Sequence, residues 1–279
     1  MLIAQITDLH IKADGAANAA RLKSVLARLA RMRRQPDAII ATGDLTEHGT
    51  VQEYKALKAH YDAAAVSPLP CLGNHDVAAN FADVFTDEDV FAEGFCQYAR
   101  DLGAIRLVVA DTHDESQHGG AFCEARQRWL DETLSAVPDQ PTLIALHHPP
   151  MTTGIDWMDP QTPNPAWING LREVVARHRH VKKVIAGHVH RPIERAFAHT
   201  SLCVAGATAA AVDLELAPVT SATADERPLI IEEPPGFALH WWDGEEFVSH
   251  HGVAGPFPVQ HRYHDQFRDI MRDVFDVPE

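Results

Sequence analysis

Short apolar runs alternate with segments of helical periodicity along the first two thirds of the chain. The apolar runs are typical of buried strands, which we predict at residues 2–7, 38–42, 68–72, 104–110, 142–146 and 181–186. Apolar residues at helical spacing predict helices at residues 16–34, 50–64, 122–136 and 166–178. This alternation predicts an α/β domain whose strands pair largely in parallel.

Five of the predicted strands run directly into Asp, Asn or His, usually beside a glycine. The residues concerned are Asp8, His10, Asp44, Asn74, His75, Asp76, His147, His148, His188 and His190. In α/β sheets, ligands bind in the crevice outside the carboxyl ends of the strands. We therefore expect these side chains, which are far apart in sequence, to converge in space.

The chemistry of this set favours a metal centre. Carboxylate, amide and neutral imidazole groups bind hard to borderline divalent cations, and the set is large enough for two ions. Each motif alone is weak, because a lone loop histidine is usually solvated and Gly73-Asn74-His75-Asp76 is also a plausible turn. Five such motifs in order, each after an apolar strand, are hard to explain as structure alone.

The pattern changes after about residue 200, where residues 201–262 are rich in Ala, Pro and strand-forming residues. A hairpin is predicted from residues 237–242 and 246–250, joined through the turn dipeptide Asp243-Gly244. A final amphipathic helix at residues 263–275 either packs on its own domain or forms a subunit contact. We expect residues 1–200 to form the main domain and residues 201–279 a cap or oligomerisation region.

Composition excludes several classes of partner. No stretch approaches the roughly 20 continuous apolar residues of a membrane helix, so we expect no membrane partner. The net charge of −15 and the lack of a basic face argue against binding a nucleic acid duplex. The chain begins at once with a strand and carries four scattered cysteines, which we expect to be free thiols. A cytoplasmic location follows as the default.

The ordered motifs together resemble a known family signature. They are Asp8-x-His10, Gly43-Asp44, Gly73-Asn74-His75-Asp76, His147 and Gly187-His188-x-His190, and they resemble the calcineurin-like metallophosphoesterases over about residues 1–200. The start at Met1, the run His147-His148-Pro149-Pro150 and the stretch from His251 to Pro256 resemble its class III cyclic-nucleotide phosphodiesterase and glycerophosphodiesterase branch. The resemblance implies a four-layer α/β/β/α sandwich with a dinuclear metal centre. It also implies a small C-terminal cap region that forms dimers or larger homo-oligomers.

The resemblance further implies a role for each site residue. It assigns the first ion to Asp8, His10 and His190, the second to Asn74, His147 and His188, and the bridging position to Asp44. His75 would be the unliganded catalytic histidine, oriented by Asp76, and Asn74 and His75 would contact the substrate. The residues themselves leave His147 and His148 open as ligands, and we favour His147 because it directly follows its strand. Mn, Fe, Zn and Co are all compatible, since Asp44 is followed by Leu45-Thr46-Glu47 and lacks the nearby tyrosine of the family's Fe(III) variant.

The implied activity is hydrolysis of a small phosphodiester, either a cyclic nucleotide or a glycerophosphodiester, by attack of a metal-bridging hydroxide. Two divalent ions carry four positive charges, and the carboxylates of Asp8 and Asp44 reduce this to two. A hydroxide and a diester monoanion then give a neutral assembly, whereas a monoester dianion leaves one excess negative charge. The alternatives are a phosphomonoesterase or nuclease of the same superfamily, or a non-catalytic metal-binding scaffold.

Overall fold

The structure is a computed structural model that describes residues 1–86, 89–159, 165–219, 226–264, 268, 271 and 272. The described strands are β1 Leu2–Ile6, β2 Ala38–Thr42, β3 Leu69–Cys71, β4 Tyr98–Asp101, β5 Arg106–Val109, β6 Thr142–Ala145, β7 Val181–Ala186, β8 Ile193–Phe197, β9 Thr200–Val204, β10 Ala211–Val212, β11 Ile230–Ile231, β12 Gly236–Trp242 and β13 Phe247–Val253. The described helices are α1 Ala16–Ala30, α2 Val51–Asp62, α3 Ala78–Val84, α4 Glu124–Ser135 and α5 Ala166–Arg177.

The strands form two main sheets, with orders β13-β12-β1-β2-β3 and β4-β5-β6-β7-β9-β8, and β10 and β11 form a separate small pair. Strands β1, β2 and β3 are parallel, as are β5, β6, β7 and β9. The carboxyl ends of parallel strands lie at one edge of a sheet. This arrangement is what brings the predicted site residues of each sheet together.

Alternate residues of the central strands face two different cores. Leu107 and Val109 belong to the cluster that includes the first sheet, whereas Val108 and Ala110 belong to the cluster beneath α4 and α5. Helix α1 contributes its buried face, which includes Leu22, to the first cluster. The layers are therefore helix, sheet, sheet and helix, and the predicted four-layer α/β/β/α sandwich is confirmed. Burial on both faces explains why these strands read as continuous apolar runs.

All six strands and all four helices predicted in the first two thirds of the chain are present, with shifted ends. The first helix ends at Ala30 rather than at residue 34. Six of the described elements were not predicted individually: α3, β4, β8, β9, β10 and β11. Strands β4 and β8 are the two edges of the second sheet and mix exposed polar residues with apolar ones, so they lack the signal of a buried strand.

The predicted hairpin is confirmed as β12 and β13, with Trp242 opposite Phe247 and Gly244 at φ 120° in the turn. Strand β12 pairs antiparallel with β1, so the hairpin completes the first sheet. Strand β9, which begins at Thr200, pairs with β7 and β8 inside the second sheet. Most of the predicted helix at residues 263–275, including Phe267, Ile270 and Phe275, lies outside the described residues. Within the described part of the chain, no helix is long and apolar enough to cross a membrane.

Candidate metal centre

The loops after five strands bring the predicted site residues to one place, between the two sheets. Five of these residues have left-handed backbone conformations with φ between 46° and 73°, namely Asp8, His10, Asp44, His188 and His190. Such conformations are strained for residues other than glycine and persist only where the surrounding structure enforces them. Five of the eight non-glycine residues with positive φ in the described part of the chain thus lie in this one set, as expected of a functional site.

Hydrogen bonds between loops enforce these conformations. The backbone N–H groups of Leu9 and His10 both donate to the carbonyl oxygen of Asp44, at 2.8 and 3.0 Å. From the second sheet, the N–H of His188 donates to both carboxylate oxygens of Asp8, at 3.1 Å each. The loop after β7 is thereby fixed against the loop after β1, and both sheets contribute to one rigid centre.

Gly187 permits this close approach of the two sheets. A β-carbon on Gly187 would collide with Thr7 Oγ1 and lie 2.8 Å from the carbonyl oxygen of Thr42. We expect Gly187→Ala to lower the free energy of unfolding by about 1–3 kcal/mol through overpacking and to reduce bound metal. Urea denaturation and metal analysis measure both effects. Gly119→Ala is the matched control, because a β-carbon there meets nothing within 4 Å, and equal stability of the two variants would contradict the prediction.

The first cluster contains Asp8, His10, Asp44 and His190, whose ligand atoms lie within 4.8 Å of one another. The Nδ1 atoms of His10 and His190 are hydrogen-bonded to the Glu47 carboxylate, at 3.1 Å, and to the Ala210 carbonyl, at 2.7 Å. Their Nε2 atoms therefore face each other at 3.1 Å, and His190 Nε2 lies 3.4 Å from Asp8 Oδ1. A cation fits between these groups, because both ring nitrogens and the carboxylates point their lone pairs inward.

The second cluster lies around His147. Its Nδ1 donates to the Thr42 carbonyl at 2.7 Å, which directs Nε2 at Asn74 Oδ1, 3.1 Å away, and at Asp44 Oδ1, 3.3 Å away. His188 Nδ1 is buried beside this group without a hydrogen-bond partner. A buried nitrogen without a partner is costly, and a metal ion would satisfy it. Asp44 presents its other oxygen to His10, so it lies between the two clusters.

His148 belongs to the same imidazole group but uses both of its ring nitrogens elsewhere. Its Nδ1 lies 3.0 Å from Thr112 Oγ1, and its Nε2 lies 3.1 Å from the carbonyl oxygen of His118. A nitrogen that donates to a carbonyl carries a proton and has no lone pair for a metal. The geometry therefore favours His147 over His148 as a ligand.

Burial and neighbouring charges together set the pKa values of the titrating groups of the centre. Burial opposes the charging of His147, but the adjacent Asp44 carboxylate outweighs it and raises the pKa of His147 to about 9. Burial opposes ionisation of Asp44 as well, and the nearby His147 and His10 hold its pKa well below the usual range. For His188, burial and the charge of His147 lower the pKa to about 3. A metal ion that binds at His147 must displace this proton.

The structure corrects the predicted role of Asp76. Its buried carboxylate accepts hydrogen bonds from five groups, namely the N–H groups of Leu45, Thr46 and Gly73 and the hydroxyls of Thr46 and Tyr54. Asp76 therefore holds the loops after β2 and β3 together. The ring of His75 is instead oriented by the Glu47 carbonyl oxygen, which lies 2.9 Å from its Nδ1. Direct orientation of His75 by Asp76 was thus wrong, because the carboxylate is committed to backbone donors.

Glu47 is the site residue that sequence reasoning missed. Its carbonyl oxygen contacts His75, and its carboxylate contacts His10 and lies 3.7 Å from Lys12. The hydrogen bond with His10 lowers the pKa of Glu47 to about 2, so the carboxylate is ionised at neutral pH. The only signal in the sequence was its position in the loop that begins at Asp44, and a loop glutamate is ordinarily a solvated residue.

Comparisons with known proteins agree with this geometry. The sequence model of one family, described as calcineurin-like phosphoesterase, matches residues 1–192. A protein of Arcobacter nitrofigilis named as a probable glycerophosphodiester phosphodiesterase is 29% identical over 92% of this chain and 96% of its own length. A protein of Rhodopseudomonas palustris named as a probable cyclic nucleotide phosphodiesterase is 34% identical over 67% of this chain and 71% of its own. The crystal structure of a dimetal phosphatase from Danio rerio superposes on this chain with a TM-score of 0.60 at 14% sequence identity. The superposition covers 89% of this chain and 98% of that one, and it supports the fold.

Proposed function

This chain belongs to the calcineurin-like phosphoesterase family, and we propose that it hydrolyses the phosphodiester bond of a small molecule. The observation that carries the proposal is the pair of ligand clusters that share the Asp44 carboxylate. The relatives support it, because one is named for glycerophosphodiesters and another for cyclic nucleotides. These two classes of diester are the candidate substrates.

Two divalent metal ions are the cofactor. The proposed ligands are Asp8, His10 and His190 for one ion, Asn74, His147 and His188 for the other, and Asp44 for both. The inward-facing nitrogens of His10 and His190 and the unpartnered Nδ1 of His188 support this assignment. Paired divalent ions, when bound, activate water and neutralise charge on phosphoryl oxygens, and Mn, Fe, Zn and Co all suit these donors.

His75 is the proposed general acid. Its backbone N–H donates to Asp44 Oδ1 at 3.0 Å, and its Nδ1 is hydrogen-bonded to the Glu47 carbonyl, so Nε2 is the free ring nitrogen. In the proposed reaction, water first loses a proton to solvent, the resulting hydroxide oxygen bonds to phosphorus and the ester P–O bond breaks. His75, acting as an imidazolium, gives its Nε2 proton to the departing alkoxide. Asn74 is proposed to contact the substrate beside it.

The charge of the centre favours a diester over a monoester. The ligand set contains two carboxylates, Asp8 and Asp44, and the other ligands are neutral when a metal is bound. Two divalent ions, a hydroxide and a diester monoanion then sum to zero. Choice among diesters depends on residues outside the ligand set.

Residues 201–279 are the proposed cap and oligomerisation region, and within it β9, β12 and β13 also complete the two main sheets. Exposed apolar side chains in and beside the small pair of β10 and β11 support a homodimer or larger assembly, namely Leu214, Leu216, Val219, Leu229 and Ile230. A cytoplasmic location is also proposed, and it is supported by cysteines that are all free, three of them buried.

Metal-dependent cleavage of bis(p-nitrophenyl) phosphate tests the proposed function. Protein stripped with a chelator is expected to be inactive and to regain activity with Mn, Zn, Co or Fe, with faster turnover of the diester than of p-nitrophenyl phosphate. Faster turnover of the monoester would identify a phosphomonoesterase. Two bound ions without turnover of either compound, or of glycerophosphodiesters and cyclic nucleotides, would identify a non-catalytic scaffold.

A further inference from the structure

A second type of ligand cluster lies away from the dinuclear centre, where the edge of one sheet meets the other. Glu194 of β8 and Cys203 of β9 are directly opposite each other in the antiparallel register, and β13 of the first sheet brings His251 against them. Among the described residues, this is the one group of three or more metal-binding side chains that shares no residue with the dinuclear centre.

The distances in this group match those of a tetrahedral metal site. Cys203 Sγ and Glu194 Oε1 each lie 3.7 Å from His251 Nε2, and the three ligand atoms lie within 4.8 Å of one another. A zinc ion with a Zn–S bond of about 2.3 Å and Zn–N and Zn–O bonds of about 2.0–2.2 Å holds such atoms roughly 3.4–3.6 Å apart. Small side-chain movements therefore suffice to close the site around an ion.

The surroundings order the ligands and leave an entry path. The two oxygens of the Glu194 carboxylate have different partners. Oε1 faces His251, while Oε2 lies 3.5 Å from the Lys183 ammonium, which itself donates to Ser201. Cys203 is buried, whereas the side chains of Glu194 and His251 are 44% and 31% exposed. An ion can therefore enter from solvent and keep a water molecule as its fourth ligand.

We propose that Glu194, Cys203 and His251 bind a third divalent ion, of the borderline class represented by Zn²⁺, independently of the dinuclear centre. A thiolate, an imidazole and a carboxylate together favour zinc or cobalt over magnesium and calcium. The Cys203 thiol would lose its proton to solvent on binding the ion. This proposal does not depend on the proposed function.

Cobalt substitution distinguishes this site from the dinuclear centre, whose proposed ligands include no sulfur. Chelator-stripped protein titrated with Co²⁺ is expected to develop a thiolate-to-cobalt charge-transfer band in the near ultraviolet. Analysis with Zn²⁺ is expected to give three ions per chain. His251→Gln and Cys203→Ser are expected to abolish the band and reduce the zinc content to two, with circular dichroism and diester hydrolysis retained.

Cys123→Ser is the matched control, because Cys123 is an exposed free cysteine at the start of α4 and belongs to no ligand cluster among the described residues. It is expected to keep both the band and the third ion. His251→Gln replaces a partly exposed side chain, so it tests the site even if Cys203→Ser does not fold. A wild-type protein that binds two zinc ions and gives no thiolate band overturns the proposal, as does a band that persists in Cys203→Ser or is lost only in Cys123→Ser.

Discussion

Replacement of Asp44 by asparagine is expected to lower kcat/KM for bis(p-nitrophenyl) phosphate by at least about 10³-fold, equivalent to about 4 kcal/mol of transition-state stabilisation. Asp44 is buried, and its two oxygens face His147 on one side and His10 on the other. An amide of the same size keeps one oxygen but offers an NH₂ group where the second oxygen would bind an ion. Metal analysis is therefore expected to show a fall from two ions toward one at the proposed centre.

Asp131→Asn is the control for this experiment. Asp131 lies on the outer helix α4, where it pairs with Arg177 and His178, so the same change of charge leaves the centre untouched. The control is expected to keep wild-type kcat/KM and metal content. An Asp44→Asn variant that keeps two ions and loses less than about tenfold in kcat/KM would remove Asp44 from the bridging position, since one lost ligand charge should cost more.

The sequence was sufficient to predict which side chains converge, because the signal was positional. Asp8, Asp44, His147 and His188 each follow a strand buried on both faces, and such strands read clearly as apolar runs. Since the order of motifs also matched a family, both the fold and the meeting of the loops could be predicted. The same reasoning could not choose between substrates, because selectivity depends on residues outside the strand ends.

The sequence could not predict contacts that involve backbone groups, nor the short strands at the edges of the second sheet. Asp76 was assigned to His75 by adjacency, yet its carboxylate is occupied by N–H groups of two loops, which no spacing reveals. Glu47 acts on His75 through its carbonyl oxygen, a group that every residue has. Strands β4 and β8 are half exposed and short, so their pattern does not differ enough from that of a loop.

A buried glutamine explains how the two sheets keep the centre in register. Gln5 of β1 donates from Nε2 to Thr42 Oγ1 of β2 and to the carbonyl oxygen of Ala186 on β7, both at 2.8 Å. Its Oε1 lies 3.0 Å from His240 Nε2 of β12. These bonds join both sheets just behind the loops that carry Asp44 and His188. The side chain of Gln5 in the core thus fixes the distance between the two sheets next to the proposed metal centre.

Replacement of His75 by alanine is expected to slow the cleavage of diesters, and the loss of rate is expected to be larger for diesters with poorer leaving groups. A nitrophenolate is stabilised by its ring and needs little protonation, whereas an alkoxide needs a proton as the P–O bond breaks. General acid catalysis contributes about 10²–10⁴-fold, so kcat for a glycerophosphodiester or cyclic nucleotide that the wild-type enzyme cleaves is expected to fall by that factor. For bis(p-nitrophenyl) phosphate the fall should be much smaller. Rates for a series of diesters with graded leaving groups measure this difference.

His60→Ala provides the control, because His60 lies in the last turn of α2 and outside the ligand clusters. It should leave every rate in the series unchanged. His75→Ala should still bind two ions, since His75 is not among the proposed ligands, and this separates loss of the acid from loss of the metals. An equal reduction of all rates, with metal retained, would mean that His75 stabilises charge on the phosphoryl group instead of protonating the leaving group. Unchanged kcat on the poorest leaving group would remove it from the mechanism, because no other residue in the proposed reaction supplies that proton.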